Sequence, residues 1–434
     1  MDRVGLLRKA LLNEYKQFHR LSKQGQKFAL SMFLYNIIHP IFTIFINAFL
    51  WRQTQDVMIV ALFNLAMFCT LPIGFYGNGH LLKRFSVKKL FFAGAILRAF
   101  LVALIIFSPM VTELSIVLFG LSYGFAQGIF WSNKNLLTVE LTTSANRIYF
   151  SSIDFISQTI NNIIIPSAIG ALLVFGTNNQ LYSVQQGYYI VAIAMILLSF
   201  LMGSAIKKIN VKTPEIGNIV LQNGTRQWNF ARGITALIGL LTGISGFLPI
   251  LIILSYVGNE DSLGLVQSIA AVVSGIIMYS IARSINTRFR VKMVAVSIVT
   301  LFLASVILAF SFNPTGIFIY FALMTIATQL LFAETNSIIL DLIDRENVEQ
   351  DNKYMYVFDL EMVLNVGRVT GIMFFVFYSK TFSADFAMQY TPMFFAIALG
   401  AIVILAKAIE DRKDVIADSS EYVESYASGQ NQQQ

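Results

Sequence analysis

The chain has 434 residues, of which 56% are apolar and 13% charged, and 31 Lys and Arg against 24 Asp and Glu give a formal charge of +7. Globular proteins average about 25% charged residues, and a soluble fold of this length has too much surface to leave without polar cover. The composition therefore excludes an ordinary soluble enzyme, a disordered chain and a nucleic-acid binder, and it points to a polytopic membrane protein.

In chain order, Val4, Leu7, Leu11, Tyr15 and Phe18 recur at helical spacing among Arg3, Arg8, Lys9, Lys16 and Arg20. This predicts a basic amphipathic segment over 1–27, lying on the inner leaflet. Twelve apolar runs follow, at 28–50, 55–77, 88–108, 112–134, 148–174, 184–206, 230–256, 262–283, 291–311, 314–340, 354–378 and 388–409. Each has roughly the 20 residues needed to cross the hydrocarbon core, and lipid leaves helices as the only open form of chain that can do so. The expected fold is an all-α membrane protein of twelve transmembrane helices in two pseudo-symmetric six-helix bundles. The bundles are 28–206 and 230–409, with a basic cytoplasmic linker at 207–229 that carries Lys207, Lys208, Lys212 and Arg226. The tail, 410–434, is acidic and then Ser/Gln-rich, and is expected to be disordered. No cleavable signal peptide is expected, because the first apolar run is long enough to stay as a helix.

The basic residues set the orientation. Of the 31 Lys and Arg, 26 lie in the tails, the linker and the even-numbered connectors, against Arg52 and Lys380 on the other side. Both termini are expected in the cytoplasm of a prokaryote, with the chain in its plasma (inner) membrane. One cysteine, Cys69, and three histidines exclude a disulfide framework and zinc-type spacing. No cofactor and no metal are expected.

The halves repeat. Arg84-Phe85-Ser86-Val87-Lys88 corresponds to Arg288-Phe289-Arg290-Val291-Lys292 at an offset of 204. Asn135 and Glu140-Leu141 correspond to Asn336 and Asp341-Leu342 at 201, and Tyr149 and Asp154 to Tyr354 and Asp359 at 205. Six spans per copy give both copies the same orientation, with a pseudo-twofold axis along the membrane normal.

On these features the chain resembles the major facilitator superfamily. The family's signature loop between spans 2 and 3, Gly-x-Leu-Ala-Asp-Arg-x-Gly-Arg-Lys, is matched by Gly79, Leu81, Arg84 and Lys88. Lys83 stands at the signature Asp and Ser86 at its second Gly, so the latch formed by that Asp in the family is not implied here. The Ile165-to-Gly170 stretch lacks the first Gly of the family's antiporter motif and does not argue for antiport. The resemblance implies that spans 1, 4, 7 and 10 line a central cavity.

Polar residues inside spans are costly and mark cavities or helix contacts. Asn36, His39, Thr43 and Asn47 form one stripe in span 1. Tyr123, Gln127, Trp131 and Asn135 form one in span 4, and Asp154, Gln158, Asn161 and Asn162 one in span 5. Thr235, Thr242, Ser245 and Pro249 lie in span 7; Tyr320, Thr328, Gln329 and Glu334 lie in span 10. Arg98 and Arg368 fall near mid-depth of spans 3 and 11. The expected substrate-binding set is Asn36, His39, Thr43, Arg98, Tyr123, Gln127, Trp131, Asn161 and Arg368. The coupling or gating set is Lys134, Asp154, Glu334, Asp359 and Glu361. Lys134 and Glu334, near the cytoplasmic ends of equivalent spans, suggest a gate pair, while Asp154 and Asp359, at the cytoplasmic starts of spans 5 and 11, are placed to pair with nearby basic loop residues. Glu361 and Arg368, two turns apart, are too distant for direct contact.

The expected function is secondary active transport of a small solute by alternating access, proton-coupled, as symport or antiport, with efflux among its directions. The expected partners are the substrate, membrane lipids and a proton, with the chain as a monomer and no nucleic acid. No nucleotide-binding Gly-x-x-x-x-Gly-Lys-Ser/Thr loop occurs. The alternatives are an integral-membrane enzyme and a transporter-like sensor. For the enzyme the nearest cluster, Asp341, Asp344, Glu346, Glu349 and Asp351, reads as a solvated charge run without a His or Cys.

Overall fold

The computed structural model describes residues 18–19, 21–108, 112–142, 144–213, 219–221, 224–258, 260–284, 289–346 and 353–411. The amphipathic segment before Phe18, the outer acidic residues Glu349 and Asp351, and the tail beyond Asp411 lie outside these. Within them the chain forms α1 (Lys23–Thr54), α2 (Val57–Leu81), α3 (Val87–Phe107), α4 (Glu113–Leu141), α5 (Ser144–Asn178) and α6 (Val184–Lys207). It continues through α7 (Arg226–Tyr256), α8 (Glu260–Ser284), α9 (Arg290–Phe310), α10 (Pro314–Glu346), α11 (Lys353–Thr381) and α12 (Ala384–Asp411). Among the described residues eleven of these are long and apolar enough to cross a membrane. The 25-residue α8, which opens on Glu260 and Asp261, takes the place of the remaining expected span.

Short polar residues start the helices where the apolar runs begin. Asp56 accepts the Met58 N–H, Thr225 that of Trp228 and Ser383 that of Phe386. Thr112 with Ser115 and Ser183 with Gln186 close reciprocal caps. The outer surface stays apolar: Phe310 is 80% exposed and Ile404 72%. Water would not tolerate this over a whole protein, but lipid chains solvate it.

Two helices are interrupted. In α1, Pro40 offers no N–H, and Ile41–Phe45 relaxes into a π-helical turn. In α7, the helix stops at Ser245 and restarts at Leu248, across Gly246 and Phe247. The spacing between Ile41 and Gly246 is the same 205 residues that relates Asp154 to Asp359, so the duplication extends to the irregularities.

Small residues set the tightest packing. Gly120, Gly124 and Gly128 form a ridge along α4 on which α2 lies. A Cβ on Gly124 would overlap the Met67 carbonyl, and one on Gly128 that of Leu71. In the other half, Gly239 and Gly243 of α7 lie against α11, where added Cβ atoms would meet the carbonyls of Leu364 and Arg368 at 2.5 Å. Lipid supplies no hydrophobic drive between helices, so such close backbone approach is a main source of helix association.

Among the described residues the halves meet mainly through three pairs: α5 with α8, α2 with α11, and the Ile46–Thr54 end of α1 with Leu248–Tyr256 of α7. The pseudo-twofold exchanges α2 with α8 and α5 with α11, so the first two pairs are equivalent and the third maps onto itself. The stretch after α6 folds back on the first half. Lys88 Nζ donates to the Ile209 carbonyl at 2.6 Å, and the Val87 N–H to Thr213 Oγ1 at 3.2 Å.

Replacing Gly124 by Leu is expected to lower stability by about 1–3 kcal/mol through overpacking against α2. Thermal unfolding of the purified protein in detergent measures it, and an unchanged midpoint would contradict the packing assigned to this ridge.

Candidate functional site

Two adjoining cavities lie between the halves. The first, about 250 Å³, is lined by His39 and Thr43 of α1, Thr159 and Asn162 of α5, Ser245 and Gly246 at the break in α7, Gln267 of α8, and Thr325 and Gln329 of α10. The second, about 260 Å³, shares His39, Thr43 and Gly246 and adds Asn47, Asn64, Phe68, Arg98, Gln127, Trp131, Glu361 and Arg368. α1 and the break in α7 therefore face both spaces, α4 only the second and α10 only the first.

Arg98 is 2% exposed. Its guanidinium lies over the rings of Phe42 and Phe130, 4.2 and 4.3 Å from their centroids, and 5.8 Å from that of Tyr35. These are cation–aromatic contacts, and its Nε finds no hydrogen-bond partner. Tyr35 Oη and Gln127 Oε1 are likewise buried without partners. Arg368 is more fully held. Its Nε donates to Thr242 Oγ1 at 3.3 Å, its Nη1 to Asn365 Oδ1 at 3.2 Å, and its guanidinium lies 4.9 Å from the Phe68 ring centroid. Asn365 Nδ2 donates in turn to Glu361 Oε2 at 3.4 Å. The two charges of α11 are thus linked through an amide and not by direct contact, as their seven-residue spacing requires.

A second polar chain ties the first half to the break in α7. Asn64 Nδ2 donates to Asn47 Oδ1 at 2.8 Å, and Asn47 Nδ2 to the Gly246 carbonyl at 3.1 Å. The break frees that carbonyl, and Asn47 satisfies it from the other half.

Of the expected binding residues, the structure places His39, Thr43, Arg98, Gln127, Trp131 and Arg368 on the cavity wall, joined by Glu361. Three others stand behind it. Asn36 Nδ2 donates to Asp154 Oδ1 at 2.9 Å and to Ser157 Oγ at 3.0 Å. Tyr123 accepts from Gln127 Nε2 at 3.0 Å and positions that amide. Asn161 donates to the Ser157 carbonyl of its own helix at 2.8 Å, and its neighbour Asn162 faces the cavity instead. Asn64, Thr159, Gln267 and Thr325 also line the cavities, outside the polar stripes that the sequence shows. Asn64 carried a signal, being a lone amide in the most apolar part of α2.

The suggested Lys134–Glu334 pair is not made. Lys134 Nζ lies 3.6 Å from Asp154 Oδ2 on the adjacent α5, a nearer carboxylate in its own half. Glu334 is buried on α10 away from both cavities. Asp359 receives two bonds from Arg232, each 2.7 Å, and a third of 2.7 Å from Trp228 Nε1, which pins α11 to the start of α7. Asp341 pairs with Arg290 at 2.6 Å, so that acidic residue serves a helix contact.

Among the described residues one ion pair crosses between the halves. Arg52, at the end of α1, reaches Glu260, at the start of α8, at 2.7 Å, with the glutamate side chain 4% exposed and the arginine 40%. It joins the two halves at the end of the molecule opposite the basic loops.

A sequence model of the Major Facilitator Superfamily matches residues 28–356. The uncharacterized protein YqgE of Bacillus subtilis (strain 168) is 25% identical over 345 residues, 79% of this chain and 80% of its own length. An uncharacterized protein from the sodM 3' region of Geobacillus stearothermophilus is 29% identical over 130 residues, 30% of this chain and 60% of its own length. Among solved structures, the nucleoside transporter NupG superposes with a TM-score of 0.60 at 15% identity, over 89% of this chain and 99% of its own. A bacterial homolog of the human lysosomal transporter Spinster, in an inward-facing and unoccupied conformation, gives 0.61 at 11% identity, over 89% and 96%. At these identities the two structures establish the fold and carry no cargo across.

Removing Arg52 as Arg52→Ala leaves Glu260 buried without its counter-charge, which is unfavourable. In a Cys69→Ser background with a cysteine at Ser245, this change is expected to speed labelling by a membrane-impermeant thiol reagent applied at that end. An unaltered rate would show that the pair does not hold the end closed.

Proposed function

Because the chain belongs to the Major Facilitator Superfamily, we propose that this multi-pass membrane transporter is a secondary active one, in which the two halves rock about the central cavity and carry a small organic solute across the plasma membrane of a bacterium. The observation that supports this best is the cavity itself: both halves supply its polar wall, at the depth where α1 and α7 are interrupted. A site shared by two rigid moieties is the arrangement alternating access needs. The basic bias of the connectors favours cytoplasmic termini. One chain holds a complete cavity, in keeping with a monomer.

In this reading the coupling ion is a proton and Glu361 carries it. Among the expected coupling residues Glu361 lines the cavity, whereas Asp154 is engaged by Lys134 and Asn36, and Asp359 by Arg232 and Trp228. Its link through Asn365 to Arg368 ties its charge to the cation two turns along the same helix, which lines the same space.

Two outcomes test the reading in proteoliposomes under an imposed pH gradient. Thr43→Trp fills the space shared by both cavities and is expected to abolish uptake across a panel of small organic solutes, with the unfolding midpoint retained. Glu361→Gln is expected to retain counterflow of a transported solute and to lose at least tenfold of its pH-driven accumulation. Wild-type protein that moves none of the panel under any gradient contradicts transport, and full accumulation by Glu361→Gln removes that residue from coupling.

A further inference from the structure

Charge in the second cavity does not balance. Lys134 is met by Asp154, and Arg368 shares the charge of Glu361 through Asn365. Arg98 has neither an ion pair nor a hydrogen bond to its Nε, although it is 2% exposed. A buried cation without a counter-charge is strongly disfavoured unless something supplies one. The rings of Phe42 and Phe130 lie 4.2 and 4.3 Å from its central carbon, and Tyr35 and Tyr123 are close enough to interact with it, but none of these brings a negative charge, so its N–H fork still lacks an anionic partner. That fork fits a planar oxyanion. Beside it the buried Tyr35 hydroxyl, close enough to interact with Arg98 itself, makes no other hydrogen bond and can donate one to an occupant. The remaining wall is apolar and aromatic, with Phe63, Met67, Phe68, Leu71 and Trp131 among its members.

We infer that the occupant of this cavity is an organic monoanion, its carboxylate or similar oxyanion held by the edge of Arg98 and by Tyr35, its apolar body lying among the aromatic side chains. This deepens the transporter reading and rests on it for the direction of use, though not for binding. One net positive charge favours a monoanion over a dianion, and the aromatic wall favours an organic body over an inorganic ion. A neutral or cationic solute would leave Arg98 uncompensated at every occupancy of the site.

The test compares three probes that differ only at the head group: naphthalene-2-carboxylate, its carboxamide and the corresponding primary amine. Thermal stabilisation of the full chain, purified in detergent, is titrated with each. The carboxylate is expected to act with an apparent affinity at least tenfold tighter than either other probe. In Arg98→Gln that ratio is expected to fall toward one, and Arg98→Lys is expected to recover part of it. Equal action of the carboxamide or the amine, no action of the carboxylate up to its solubility, or an unchanged ratio in Arg98→Gln overturns the assignment. The wild-type comparison decides the matter even where a variant does not fold. Uptake separates the two readings. Carboxylate binding without entry into proteoliposomes supports the anion site and contradicts transport. Entry of uncharged or cationic solutes that Thr43→Trp blocks, with no preference for the carboxylate, does the reverse.

Discussion

Everything in this molecule follows from the absence of water along most of its length. Backbone groups must bond within their own segment, which forces helices. Apolar side chains gain nothing by hiding from an apolar surrounding, so Phe310 and Ile404 face outward as readily as Phe28 and Phe49 face inward. Cohesion then falls to close fit and to polar contacts. The glycine ridge of α4 supplies the first and the Asn47–Asn64 pair the second. Several of the remaining polar side chains, His39, Gln127 and Arg368 among them, line the cavity.

The duplication organises these contacts. The halves touch through α5 with α8 and α2 with α11, two copies of a single interface, and through the ends of α1 and α7 on the axis itself. Under the proposed rocking of the halves, this arrangement would leave the glycine-packed pairs within each half intact. The interruptions in α1 and α7 lie at equivalent positions and both border the cavity. The chain is therefore least regular where the solute is expected to sit.

Much of this was legible in the sequence, since run length and basic loops specify spans whatever the side-chain detail. Arg98, Arg368, His39 and Thr43 could be read as cavity residues because ionisable and polar groups inside a span need a reason to be there. The face to which a polar residue turns was not legible. Asn161 and Asn162 are adjacent and differ by about 100° around the helix, which sends one to its own backbone and the other to the cavity. The partner of Lys134 was equally hidden. Symmetry pointed across the axis to Glu334, but a nearer carboxylate on α5 takes the charge. The break at Gly246 had a signal in the nearby Gly243 and Pro249, yet an apolar run with small residues reads the same whether or not it is continuous.

The clasp between Arg52 and Glu260 has a consequence for the thermodynamics of opening. Its carboxylate is withdrawn from solvent while its guanidinium is still partly wet, so separating them loses an attraction but returns an anion to water. The two contributions oppose each other. Such a fastening can hold firmly in one arrangement and still come undone on a small change in free energy elsewhere, as the proposed alternation of the halves would require.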